Sequence, residues 1–144
     1  MMNTYEIIHH SEKKIVGIHK KLKLQTPSMS LWGSYYASAI HQIIDQYNTK
    51  AYGVYYDFDH KACSYMVGCE AKIQGNQNDE LHIFTIPAGR YAKFCLKGEV
   101  HHVVPEFWKT LDTFPIQRSY LCDFEVFPSK ETKDVMIEIY ISIQ

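Results

Sequence analysis

Tyr120-Leu121-Cys122-Asp123-Phe124-Glu125-Val126-Phe127 is an aromatic and apolar run stopped by Pro128 and Ser129, and it reads as one β-strand. Side chains alternate across a strand. Tyr120, Cys122, Phe124 and Val126 therefore share one face, with the composition of a core face. Leu121, Asp123, Glu125 and Phe127 share the other, which sets two acids among apolar neighbours. A carboxylate beside aromatic rings suits a pocket for an organic cation, or for a group that needs a proton acceptor. The ordinary alternative is that both acids face water.

The frame around this strand has 144 residues, the length of one domain with a real core. The formal net charge is -1 and the charges are interspersed. Nucleic-acid binding, which needs clustered Lys and Arg, is not expected. No apolar run reaches the length of a membrane span, and the N-terminus lacks a signal-peptide core, so a cytoplasmic protein is expected. Cys63, Cys69, Cys95 and Cys122 form no C-x-x-C pair, His9-His10 has no ligand spacing, and His101-His102, just before the second helix, is only a weak metal candidate. No metal and no cofactor are expected. Cys95 and Cys122 lie in apolar strand-like runs, where cysteine acts as a small hydrophobe.

Taken in order, residues 5–8 open a short apolar segment and 14–24 continue as a strand. Thr26-Pro27 has the chemistry of a helix start. The stripe Met29, Trp32, Tyr36, Ile40, Ile43 and Tyr47 then marks one helix face, ended by Asn48 and Thr49. Strands follow at 51–58 and 64–73. Residues 75–79 (GNQND) form the one polar hinge between halves. Residues 81–96 read as a long strand interrupted at Pro87-Ala88-Gly89. Val104-Pro105 opens a second helix with the stripe Val104, Phe107, Trp108, Leu111 and Phe114. After 120–127, the last strand is 135–143.

The order strand, helix, strand, strand thus occurs twice, with pseudo-repeats about 1–78 and 79–144 in a single domain. Each helix opens with a proline and then carries a tryptophan, Trp32 or Trp108. The expected fold is α+β: duplicated βαββ units forming one curved antiparallel sheet, with two helices on one face. The opposite face would be concave, and a ligand would lodge where the halves meet.

Four segments carry a resemblance. They are Tyr52-Gly53-Val54-Tyr55, Ile86-Pro87-Ala88-Gly89-Arg90-Tyr91-Ala92, Asp123-Phe124-Glu125-Val126-Phe127 and Ile137-Glu138-Ile139-Tyr140-Ile141. In this order they resemble the GyrI-like, or AraC-type effector-binding, domain family, found in multidrug-sensing regulators and as stand-alone proteins. The resemblance implies two βαββ units, a concave sheet that binds hydrophobic and often cationic molecules, and an acidic pocket residue at Glu125. Two departures stand out: Phe127 replaces a common tyrosine, and Ser142 replaces a proline often found near the end. The first strand begins too early for a preceding helix-turn-helix, so a stand-alone binder is expected.

Three functions compete. A small-molecule binder would stack a hydrophobic cation on Trp32, Tyr55, Tyr65 or Trp108, with Glu125 as counter-charge and with Tyr36 and Phe127 in the wall. On helical spacing alone, Trp32 and Tyr36 could equally be plain core. A hydrolase of strained electrophiles would use Glu125 as general base to water. No nucleophile elbow or phosphate loop accompanies it. A protein-interaction module, such as a DNA gyrase inhibitor, would act through a surface and a protein partner.

Overall fold

The apolar runs form strands at Tyr5–His10 (β1), Lys13–Lys23 (β2), Ala51–Tyr56 (β3), Ala62–Glu70 (β4), His82–Ile86 (β5), Gly89–Gly98 (β6), Arg118–Phe127 (β7) and Val135–Ile143 (β8). Helices occupy Met29–Ala37 (α1) and Val100–Thr110 (α2). This computed structural model describes residues 4–23 and 29–144, and of Met29 the backbone only. Leu24, Thr26 and Pro27, read above as strand end and helix start, lie outside the described residues.

All strands join one antiparallel sheet in the order β1-β6-β8-β7-β3-β4-β2-β5. Each half supplies the expected βαββ unit preceded by a short strand. That short strand crosses to the other half: β1 pairs with β6, and β5 with β2. Ser11-Glu12 joins β1 to β2, and Pro87-Ala88 joins β5 to β6, although each pair lies near opposite edges of the sheet. Two-residue links reach only a few ångströms each. The sheet therefore curls until its edges approach. One apolar cluster accordingly joins Ile8 and Tyr91 from one edge to Ile15, Phe84 and Ile86 from the other, around Tyr52, Val54, Phe124 and Tyr140.

Both helices cover the other face. Leu31 and Tyr35 of α1 pack on Val16, Tyr65 and Val67. Phe107 of α2 packs on Phe94, Ile137 and Ile139. Trp32 touches both clusters and so stands at the seam between the helices.

Four local readings differ from the structure. α1 is shorter than its apolar stripe. The chain tightens to a 3₁₀ turn at Ala39–Gln42 and is extended at Ile43. The Gln46 amide donates to the Ile40 and Ile43 carbonyls (3.1 and 3.2 Å), which meets the needs of a helix end there. Tyr47, expected on the buried stripe, is exposed. α2 starts at Val100 and not at Pro105, because the Glu99 carboxylate accepts the His102 amide and caps the helix. His101 and His102 lie in its first turn, and Pro105 is interior. Cys95, expected inside, faces outward.

The fourth difference is in β7, which begins at Arg118. Its register against β8 shifts between Arg118 and Asp123. Tyr120 sits there at φ 56° and is exposed, as is Leu121; neither belongs to a core face. From Cys122 onward both faces of the strand are buried. Ser142 holds the bulge. Its hydroxyl accepts the Leu121 and Cys122 amides at 3.2 Å, and its own amide donates to Asp123 Oδ1 at 3.0 Å. A proline at 142 would have no amide to give.

Candidate ligand-binding site

Glu125 and Phe127 leave β7 on the helix-covered face, not on the opposite concave face that the sequence suggested. The opposite face is filled by its own apolar cluster. Both acids are buried, with Asp123 at 1% and Glu125 at 2% exposure, which excludes the water-facing reading.

Glu125 sits under the seam between α1 and α2. The Trp108 indole donates to its Oε2 at 3.0 Å, the Tyr65 hydroxyl to Oε1 at 3.2 Å and the Tyr55 hydroxyl to Oε2 at 3.4 Å. The Trp32 indole donates to the Tyr65 hydroxyl oxygen at 2.8 Å. One tryptophan from each helix thus reaches the same carboxyl group, Trp108 directly and Trp32 through Tyr65. Phe127 meets Trp32 edge-on at 5.1 Å, and Tyr36 stacks on its outer side at 6.0 Å. Tyr55 packs on Tyr65 at 4.5 Å and on Trp108 at 5.3 Å. All seven residues singled out from the sequence meet here, with Tyr36 and Phe127 joined to the group through Trp32.

Among the described residues no lysine, arginine or histidine forms an ion pair with Glu125. Burial therefore dominates and pushes its pKa up to about 7, against the pull of the Trp108, Tyr65 and Tyr55 hydrogen bonds. The Tyr55 hydroxyl is held well above its ordinary value, first by burial and then by the Glu125 charge. The site is a set of rings packed around one buried carboxyl group whose pKa lies near neutrality.

Sequence reasoning missed two supports. Gly53 lies directly opposite Glu125 across the β3–β7 pair. A Cβ there would run into the Tyr65 hydroxyl and stand 2.7 Å from Glu125 Oε1. A glycine inside a strand signals such close approach. Gly53→Ala is expected to cost about 1–3 kcal/mol of stability, the scale of overpacking, and to perturb the tryptophan emission. Denaturant unfolding followed by fluorescence checks this; unchanged stability and emission would contradict it. The second support is the pairing of Asp123, two residues from Glu125, with Arg118. Arg118 Nη2 contacts Asp123 Oδ2 at 2.6 Å, and the guanidinium lies 4.3 Å over the Tyr120 ring. Burial raises the Asp123 pKa, while Arg118 and Ser142 oppose the rise.

A curled antiparallel sheet with an aromatic seam around one carboxyl group fits a binder of small organic molecules. The chain belongs to the family of the GyrI-like small molecule binding domain, whose model matches residues 3–144. Its fold is similar to that of an integron cassette protein, VCH_CASS2, from the mobile metagenome of Vibrio cholerae (TM-score 0.79, 21% identity, covering 97% of this chain and 95% of that one). It is also similar to SAV2435, solved bound to tetraphenylphosphonium (TM-score 0.78, 14% identity, 98% and 94% covered). A putative bacterial transcription regulation protein from Staphylococcus aureus MU50 shares the fold as well (TM-score 0.74, 14% identity, 98% of both chains covered). No curated protein shows significant sequence similarity to this chain. Among the described residues no helix is long and apolar enough to cross a membrane.

Proposed function

We propose that the chain binds hydrophobic, cationic small molecules in the seam between α1 and α2, as a sensor or sequestering protein for such compounds. Glu125 supplies the counter-charge. Trp32, Tyr36, Tyr55, Tyr65, Trp108 and Phe127 supply the wall. The observation that carries this reading is a buried carboxyl group held by three neutral donors with no basic partner among the described residues. Such a charge costs free energy unless something pairs with it, and an incoming cation would do so. Trp32, Tyr36, Tyr55 and Trp108 are only partly buried and form the solvent-facing part of the wall. The phosphonium cation bound to SAV2435 supports the ligand class.

The chain has two tryptophans, and both line the seam. Tetraphenylphosphonium is therefore expected to quench or shift the intrinsic emission saturably, and the change should shrink in Trp108→Phe. A linear, unsaturable response would count against the site. The apparent affinity should rise with pH and level off above about 7, because the proton on Glu125 competes with the cation. Below that point it should fall, by up to about tenfold per pH unit, towards the weaker affinity of the site with Glu125 neutral.

The hydrolase reading uses the same group. A carboxyl poised near 7 suits a general base. Release of product from an epoxide-type electrophile, abolished in Glu125→Gln, would favour that reading over simple binding.

A further inference from the structure

We propose that the seam selects cations that carry no N–H donors, such as quaternary ammonium or phosphonium ions, over protonated primary amines of similar size. The inference rests on the ligand-binding reading above and deepens it. A carboxylate offers about four lone-pair directions. Three are taken by Trp108, Tyr55 and Tyr65. The Tyr65 oxygen is itself an acceptor for Trp32. The backbone beside Glu125 is committed to the β3–β7 and β7–β8 ladders. The other side chains packed against Trp32, Tyr55 and Trp108 are mainly aromatic and aliphatic, and a thiol such as Cys63 is only a weak acceptor. A primary ammonium brings three donors to this seam and finds about one acceptor there. Donors left unmet inside a protein weaken binding, by about tenfold or more each. A quaternary ion makes no such demand. It needs only the negative potential of Glu125 and the faces of the rings.

Hydration alone favours a quaternary ion in any apolar pocket, so the donor count needs its own control. Tyr55→Phe keeps the ring and frees one lone pair of Glu125. The amine should gain from that change, whereas the quaternary ion should not. The experiment is fluorescence titration of the wild type, Tyr55→Phe and Glu125→Gln with pyrenylmethyl-trimethylammonium and pyrenylmethylammonium at about pH 8, where both ligands are charged. The wild type is expected to bind the quaternary ion at least ~10-fold tighter. That gap should narrow severalfold in Tyr55→Phe through tighter amine binding. Equal binding of both ions to the wild type, each weakened in Glu125→Gln, would overturn the donor rule and leave the binding site standing. A wild-type gap that Tyr55→Phe leaves unchanged would also overturn it, assigning the preference to hydration. Indifference of both ions to Glu125→Gln would overturn the binding reading and this inference together.

Discussion

Glu125→Gln is expected to fold and to be more stable than the wild type at pH 8, by on the order of 3 kcal/mol. The carboxyl pKa rises from 4.5 in the unfolded chain to about 7 in the folded one. The folded state therefore holds a proton that the unfolded state releases between these values, and stability falls as pH rises through that window. Above about 7 the buried carboxylate is charged and the full penalty applies. Glutamine has the same shape and carries no charge. Its carbonyl oxygen can accept from Trp108 and Tyr55 as the carboxylate does. The advantage of the variant should vanish near pH 4.5 and grow towards pH 8. Urea unfolding of both proteins at the two pH values measures it. A variant less stable than the wild type at both would mean that Glu125 is a structural hydrogen-bond acceptor whose charge the fold needs.

Arg118→Ala is expected to destabilise the protein by about 3–5 kcal/mol, the scale for breaking one side of a buried ion pair. Asp123 would keep its bond from the Ser142 amide but lose its cation. The bulge would also lose the guanidinium that lies over the Tyr120 ring. Removing both charges, in Arg118→Met with Asp123→Asn, should recover much of the loss. Calorimetric melting of the single and double variants tests this. A single variant within about 0.5 kcal/mol of the wild type would show the pair to be no more than a surface contact.

The contrast between these two acids marks what the sequence could and could not reveal. Period-two alternation correctly placed Glu125 beside Phe127 and opposite Phe124, because both faces of β7 are buried from Cys122 onward. Helical spacing put Trp32 and Tyr36 on one side of α1. The two halves could be read because each repeats its own local pattern. The bulge was not legible. Tyr120 fits a strand by residue type, and only the Ser142 hydroxyl, delivered by another strand, turns it outward. Arg118 reaches Asp123 only because of that bulge. Pro105 masked the true start of α2, since proline suits a first helical turn and Glu99 is a less common cap. The crossing of β1 to β6 is a pairing distant in sequence, with no local signature. It curls the sheet and fills the face that looked like the cavity, so the site lies beneath the helices instead.

Calorimetric titration of the wild type and Glu125→Gln at pH 8, with tetraphenylphosphonium and a neutral aromatic compound of similar size, tests the central claim most directly. The account predicts that the variant loses roughly 1–3 kcal/mol of affinity for the cation, the scale of a charge-assisted contact, and much less for the neutral compound. Equal loss for both ligands, or no loss for either, would contradict Glu125 as the counter-charge of the site.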